Sequence, residues 1–133
     1  MTSTDKVTVN FSVINKTKGK LPRLPFALIK NAVLGSEYDL SLVFVGDDES
    51  RKLNMKHRGG DYIPNVLSFE LDRGAGEIFI NPLEAKRQAP NFDRTQSNFI
   101  AFLYIHGLVH LKGMTHGSTM DRTEAKFRKQ FGI

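Results

Sequence analysis

Three of the four histidines lie within eleven residues, in the segment His-Gly-Leu-Val-His-Leu-Lys-Gly-Met-Thr-His at positions 106–116. His106 and His110 are four residues apart, and a helix places such a pair on one face with Cβ atoms about 5–6 Å apart. Gly113 can adopt the left-handed conformation that ends a helix, and His116 then follows as a third imidazole. Three imidazoles predict a metal site whose fourth position is open to water, as in catalytic sites.

The spacing of these histidines equals that of the metzincin signature, H-E-x-x-H-x-x-G-x-x-H. Gly107 stands where a metzincin has the glutamate that acts as general base in peptide hydrolysis. The proton acceptor would therefore be metal hydroxide, another side chain or the substrate's own phosphate. Zinc is the default ion for three histidines, although nickel, cobalt or iron suit the same nitrogens. The chain has no cysteine, which excludes thiolate-ligated metals, disulfides and a thiol nucleophile.

Hydrophobic periodicity predicts one layered α/β fold with a sheet of about four strands. We expect a single α+β domain spanning residues 1–133, with a four-stranded mixed sheet packed with about five helices and the metal site on a central helix. The central helix begins after Asp93 or Thr95 and ends before Gly113, and Ser118 with Asp121 resembles a capping box for the last helix. The predicted strands cover residues 7–14, 39–45, 65–71 and 76–80, and the other predicted helices cover 25–34, 49–57 and 82–89.

Composition sets limits on the function. The 133 residues suit one domain, and the net charge of +5 with a pI near 9.6 weakly favours polyanionic partners. The longest apolar run, residues 99–105, is much shorter than the about 20 residues that span a bilayer. Because the N-terminus lacks the pattern of a secretory signal, we expect a cytoplasmic protein without a membrane segment. The sequence predicts no oligomeric state.

The histidine segment resembles the H-G-x-L-H-L-x-G-Y-D-H signature of the YbeY family, with Val109 in place of the leucine and Met114-Thr115 in place of Tyr-Asp. Residues 53–69 are similar to the family's L-N-x-x-Y-R-x-K-D-x-P-T-[DN]-V-L-S-F, and residues 76–80 resemble its G-D-I-x-I strand. The three motifs follow one another in the family's order, and the resemblance covers about residues 7–132.

This resemblance implies a metal-dependent endoribonuclease, specific for single strands, that acts in 16S rRNA 3′-end maturation and ribosome quality control. It implies a divalent ion, usually taken as zinc, bound by His106, His110 and His116, and an essential arginine at Arg58. The implied partners are single-stranded RNA and the small ribosomal subunit.

Arg58 also fits the chemistry of phosphodiester cleavage, because a guanidinium can hold two oxygens of a phosphorus that gains negative charge. Four nearby residues are further candidates for substrate binding. His57 replaces the tyrosine of the family motif, while Gly60 replaces its lysine and leaves Lys56 as a neighbouring cation. The four candidates are Lys56, His57, Asn65 and Ser68. The basic residues of the last helix, Arg122, Lys126, Arg128 and Lys129, are interpreted as a solvated face.

Two other functions remain open from the sequence. One is a metallohydrolase of another class, such as a peptidase or amidase, against which Gly107 and the basic charge both count. The other is a non-catalytic, ribosome-associated RNA-binding factor with a structural metal. A structural metal would require a fourth protein ligand.

Overall fold

Five strands form one mixed sheet in the computed structural model of the chain, which describes residues 6–8 and 10–133. The order across the sheet is β1-β2-β3-β5-β4. Strand β3 pairs in parallel with β2 and with β5, whereas β1–β2 and β4–β5 are antiparallel pairs. The predicted four-stranded mixed sheet is present as β2 to β5. The strands are β1 (Lys6–Thr8), β2 (Phe11–Asn15), β3 (Asp39–Phe44), β4 (Val66–Asp72) and β5 (Ala75–Ile80).

The first predicted strand, residues 7–14, is divided in the structure. Asn10 has a φ of +61°, and the chain turns back there so that Thr8 pairs with Phe11. Asparagine tolerates this left-handed conformation better than most residues. Alternation with a period of two continues through such a tight turn, so the pattern alone predicted one strand. Val9, inside the predicted strand, lies outside the described residues.

The described residues form five α-helices, as predicted. The central helix begins after Thr95, whose Oγ1 accepts the N–H of Asn98 at 3.1 Å. The predicted capping box is wrong: Gly117 precedes the last helix and Ser118 is already helical, so no side chain caps that end. Within the described residues, no helix is long and apolar enough to cross a membrane. The helices are α1 (Phe26–Leu34), α2 (Asp47–Arg58), α3 (Pro82–Gln88), α4 (Gln96–Leu111) and α5 (Ser118–Phe131).

Helix α4 lies at the centre of the fold and contacts β4, β5, α1, α3 and α5. Gly107 allows the close approach to the sheet, because a Cβ at this position would lie 3.1 Å from Cδ1 of Ile78. Between residues 98 and 110 all but four side chains of the helix are buried. We call these four the open stripe of α4; they are Asn98, Phe102, His106 and His110, each half-exposed and four residues from the next. Two of the predicted metal ligands are therefore open to solvent on a helix that is mostly buried.

Candidate metal centre and cleft

The three histidines of the motif come together at the C-terminal end of α4. His106 and His110 occupy successive turns of the open stripe, as their spacing predicted. Gly113, with a φ of +101°, then turns the chain so that the exposed His116 returns toward them. One ring nitrogen from each of the three residues lies within 4.8 Å of the other two. This is a ligand set that one metal ion can use, since bonds from imidazole nitrogen to zinc are about 2.0–2.1 Å.

Contacts behind the rings orient two of the three imidazoles. Nδ1 of His106 lies 2.9 Å from Oε1 of Glu124, and Nδ1 of His110 lies 3.2 Å from the carbonyl oxygen of Met114. A carbonyl can only accept, so Nδ1 of His110 carries the proton and donates it. Nδ1 of His106 likewise faces a carboxylate oxygen of Glu124, to which it can donate. Each Nε2 is then left with the lone pair that a metal requires.

The environment of His110 lowers its pKa and so favours the neutral ring. Burial lowers the pKa of His110 from its usual 6.5, and the neighbouring charges of His106 and His116 lower it further. The bond to the Met114 carbonyl and the charge of Glu124 raise that pKa by less. A neutral imidazole can coordinate a cation, whereas a protonated one cannot, so the lowered pKa favours metal binding at neutral pH.

Glu124 is a site residue that the sequence analysis missed. It lies in α5 and is only 5% exposed, beside the similarly buried Met120 and Phe127. A carboxylate is rarely buried to this extent without a partner, and here the partner is His106. The signal was present in the sequence, because positions 120, 124 and 127 form the inward face of an amphipathic helix. A glutamate on such a face indicates a buried partner.

A cleft of about 590 Å³ opens beside the histidines. One wall is formed by α4 and the loop that follows it, and the other by β4 with the C-terminal residue of α2. The polar residues among those that line it are Arg58, Ser68, Glu70, His106, His110 and Thr115. The apolar part of the lining comes from Val66, Leu67, Leu111 and Met114, with Gly107 and Gly113.

Arg58 is the last residue of α2, and its side chain lines this cleft. Its Nη2 donates to the carbonyl oxygen of Ser68 at 2.7 Å, and its Cζ lies 4.8 Å from the centre of the Phe69 ring. These two contacts hold the guanidinium against β4 and leave its remaining N–H groups for a ligand. A cation and two of the candidate metal ligands thus line the same cleft.

Comparison with known proteins agrees with this arrangement. A family model described as Endoribonuclease YbeY matches residues 11–131. The chain belongs to the YbeY family. An endoribonuclease YbeY of Endomicrobium trichonymphae is 35% identical, over 95% of this chain and 90% of the relative. One of Bdellovibrio bacteriovorus is 31% identical, over 91% of this chain and 87% of the relative. The solution structure of TM1509 from Thermotoga maritima matches with a TM-score of 0.64 and 25% identity, over 91% of this chain and 88% of that one.

The remaining candidates from the YbeY motifs do not all reach the cleft. Ser68 lines it, and its carbonyl positions Arg58. Lys56 and His57 are exposed and are absent from the lining, and the His57 ring lies 4.9 Å from that of Phe69. Asn65 is also outside the lining, and its Nδ2 donates to Oε1 of Gln88 at 2.7 Å. A role in substrate binding for these residues stays a prediction.

Glu70 is a second residue that the sequence analysis missed. Val66, Ser68 and Glu70 alternate along β4 and line the cleft together. Among the described residues that line it, Glu70 supplies the only carboxylate. The signal in the sequence is weak, because two polar residues at alternate positions of a strand usually indicate a solvated face. Here the face of β4 that carries Ser68 and Glu70 lines the cleft together with His106 and His110.

The departure from the YbeY signature at Met114 does not disturb the contact behind His110. Met114 holds His110 through its backbone carbonyl, a group that every residue type provides. The contact therefore depends on the turn that Gly113 makes, not on the side chain that follows it.

Proposed function

We propose that this YbeY-family chain is a metal-dependent endoribonuclease, specific for single-stranded RNA, that acts in 16S rRNA 3′-end maturation and ribosome quality control. Family membership and the names of the relatives support the endoribonuclease activity. We further propose that residues 1–133 act as one hydrolase domain, that the protein works in the cytoplasm, and that it engages the small ribosomal subunit.

The observation that carries this proposal is that Arg58, His106 and His110 line one cleft. The three residues come from two separate helices, and the sequence separates Arg58 from His106 by 48 positions. A cation that faces a metal site is suited to a dianionic transition state such as that of phosphodiester cleavage.

The metal ligands in this proposal are His106, His110 and His116. Zinc is the ion that best fits three imidazoles, two of which are oriented by hydrogen bonds to their Nδ1 atoms. When bound there, a divalent ion would supply Lewis acidity and lower the pKa of coordinated water. Glu124 would fix the ring of His106 and compensate part of the positive charge.

Arg58 would bind the non-bridging oxygens of the scissile phosphate. Its guanidinium is already held by Ser68 and Phe69, so little conformational freedom is lost when a phosphate binds. Its charge would stabilise the transition state more than the substrate, because negative charge increases on phosphorus during the attack.

Glu70 would accept the proton of the attacking hydroxyl group. It is the only carboxylate in the described cleft lining, whereas Gly107, at the position of the metzincin base, lies against Ile78. The hydroxyl is either that of water or the 2′-OH of the RNA, and the two give different products. A 2′,3′-cyclic phosphate end would identify the 2′-OH as the nucleophile.

Two observations favour this function over the alternatives. A peptidase of the metzincin type needs a glutamate at position 107, where a side chain would meet Ile78 at 3.1 Å. A structural metal needs a fourth protein ligand. The metal-binding group among the described residues contains three histidines and no fourth member.

The test is cleavage of single-stranded rRNA fragments by the wild type and by the His110→Ala, Arg58→Ala and Glu70→Gln variants. We expect each substitution to lower kcat by about 100-fold or more, since a positioned charge or proton acceptor contributes this much. Chelation should abolish cleavage by the wild type, and added zinc should restore it.

Lys52→Ala is the matched control, because Lys52 is an exposed cation of α2 that is absent from the cleft lining. It should cleave RNA as the wild type does. Equal activity in all five proteins would identify a contaminating ribonuclease and contradict the proposal. Cleavage that survives in Glu70→Gln alone would refute only the role of Glu70.

A further inference from the structure

Two arginines lie over a single aromatic ring on the open stripe of α4. The Cζ of Arg94 is 4.6 Å from the centre of the Phe102 ring, and the Cζ of Arg128 is 5.0 Å from it. Arg94 lies just before α4 and Arg128 lies in α5, so the fold brings them together from distant positions. This contact revises the interpretation of Arg128 as part of a solvated face, because its side chain is half-buried.

Among the described residues, neither guanidinium has an acidic partner. In the part of the chain that the structure describes, no carboxylate forms an ion pair with Arg94 or Arg128. Arg94 instead donates to Oδ1 of Asn98, a neutral group. Burial lowers the pKa of Arg94, and the nearby charge of Arg128 lowers it further. Two positive charges that both lie within 5.0 Å of one ring centre, and that form no ion pair among the described residues, attract an anion.

The ring that the two arginines contact lies one helical turn away from the candidate metal centre. Phe102 precedes His106 by one turn of α4, and Arg128 follows Glu124 by one turn of α5. The contacts 102–128 and 106–124 therefore lie side by side along the two helices. One turn corresponds to about 5–6 Å along the helix axis. This rise is comparable to the step between neighbouring phosphates of an extended strand.

An exposed aromatic ring lies next to the two arginines. Phe92 is 49% exposed, although its ring is stacked on that of Phe99 at 4.7 Å and lies 5.9 Å from that of Phe102. A large apolar ring held rigidly at the surface offers its free face to a nucleobase.

We propose that Arg94, Arg128 and Phe92 form a second RNA subsite, which binds a phosphate and a base of the strand after it leaves the cleft along α4. The two guanidiniums would bind the phosphate, and the Phe92 ring would stack with the base. The proposed function supplies the identity of the ligand, on which this inference rests. The subsite would bind RNA without regard to sequence, because it contacts only the backbone and the face of one base.

The test compares two double variants that each remove two positive charges. The subsite pair is Arg94→Gln with Arg128→Gln, and the control pair is Arg122→Gln with Lys129→Gln, two exposed cations of α5. Binding of a labelled single-stranded RNA of about twelve nucleotides is measured by fluorescence anisotropy in chelator, so that no cleavage occurs. The measurement is repeated over a series of salt concentrations.

We expect the subsite pair to weaken binding about tenfold and to reduce the slope of log Kd against log salt by about 0.7 for each lost phosphate contact. The control pair should change neither value by more than a small general charge effect. Phe92→Ala serves as a second variant, because it keeps every charge, and urea unfolding establishes that it is folded before binding is measured. It should weaken binding about fivefold or more without changing the salt slope.

Equal losses in the two double variants, together with wild-type binding by Phe92→Ala, would overturn the subsite. The cleavage assay decides the proposed function separately. If the wild type cleaves RNA and the subsite pair binds like the control pair, the inference fails and the function stands. If the wild type does not cleave but its RNA binding depends on Arg94 and Arg128, the function fails and the subsite stands.

Discussion

Replacing Glu124 by glutamine should weaken metal binding without removing any metal ligand. The carboxylate is 5% exposed and accepts from Nδ1 of His106 at 2.9 Å. A hydrogen bond to a charged group contributes about 1.5–3 kcal/mol, roughly twice a neutral one. Glutamine keeps a neutral acceptor at the same position, so the loss is about 1.4 kcal/mol, or tenfold in Kd. Glu124→Ala loses the whole bond, and we expect up to about 100-fold.

The assay is calorimetric titration of zinc into the metal-free protein at pH 7. Asp121→Asn is the matched control, because it removes one negative charge from an exposed position of the same helix. Urea unfolding of each metal-free variant establishes that it is folded before the titration. Zinc affinity in Glu124→Gln equal to that of the wild type, or an equal loss in Asp121→Asn, would refute the orienting role of Glu124.

Three further changes test other parts of the structure. Burial holds the pKa of His110 below the value of about 6.5 that it has in the unfolded chain. As the pH falls, the unfolded chain therefore takes up a proton first, and the urea midpoint of the metal-free protein should decrease below about pH 6.5 and stay constant above it. The decrease should be smaller in His110→Gln. Gly107→Leu should lower the free energy of unfolding by about 1–3 kcal/mol in urea, because even the Cβ of a side chain at this position would lie 3.1 Å from Ile78. In Gly107→Ala, the smaller side chain makes a smaller overlap, which the gain in helix propensity offsets. Equal stability of the two variants would contradict the close approach of α4 to the sheet. Tyr104→Phe should lower the free energy of unfolding by about 1–2 kcal/mol, measured by thermal or urea unfolding, because the buried Tyr104 hydroxyl donates to the Phe26 carbonyl at 2.8 Å. An unchanged midpoint would show that this hydrogen bond contributes nothing to stability.

The elements of the fold were largely predictable from local sequence. The hairpin of β4 and β5 follows from turn residues at positions 72–75, where Gly74 has a φ of +76°. Helix α4 follows from a continuous apolar period between Thr95 and Gly113, and both ends are as expected. The turn at Asn10 was not predictable, because periodicity of two does not distinguish one strand from two strands joined by a tight turn.

The candidate ligands were predictable because their geometry is local. His106 and His110 share one helix, and Gly113 turns the chain within three residues of His116. A single regular element therefore determines most of their relative position. Family motifs extended the prediction to Arg58, which no local spacing connects to the histidines.

The sequence by itself determined the three imidazoles, the helix that carries two of them and the absence of a glutamate at position 107. Only the tertiary structure decided which groups surround them. Glu124 reaches His106 because α5 packs on α4. Glu70 and Arg58 share the cleft because the Arg58 side chain is held against β4, the strand that carries Glu70. These contacts join residues that are many positions apart, and long-range packing, not local periodicity, determines such distances.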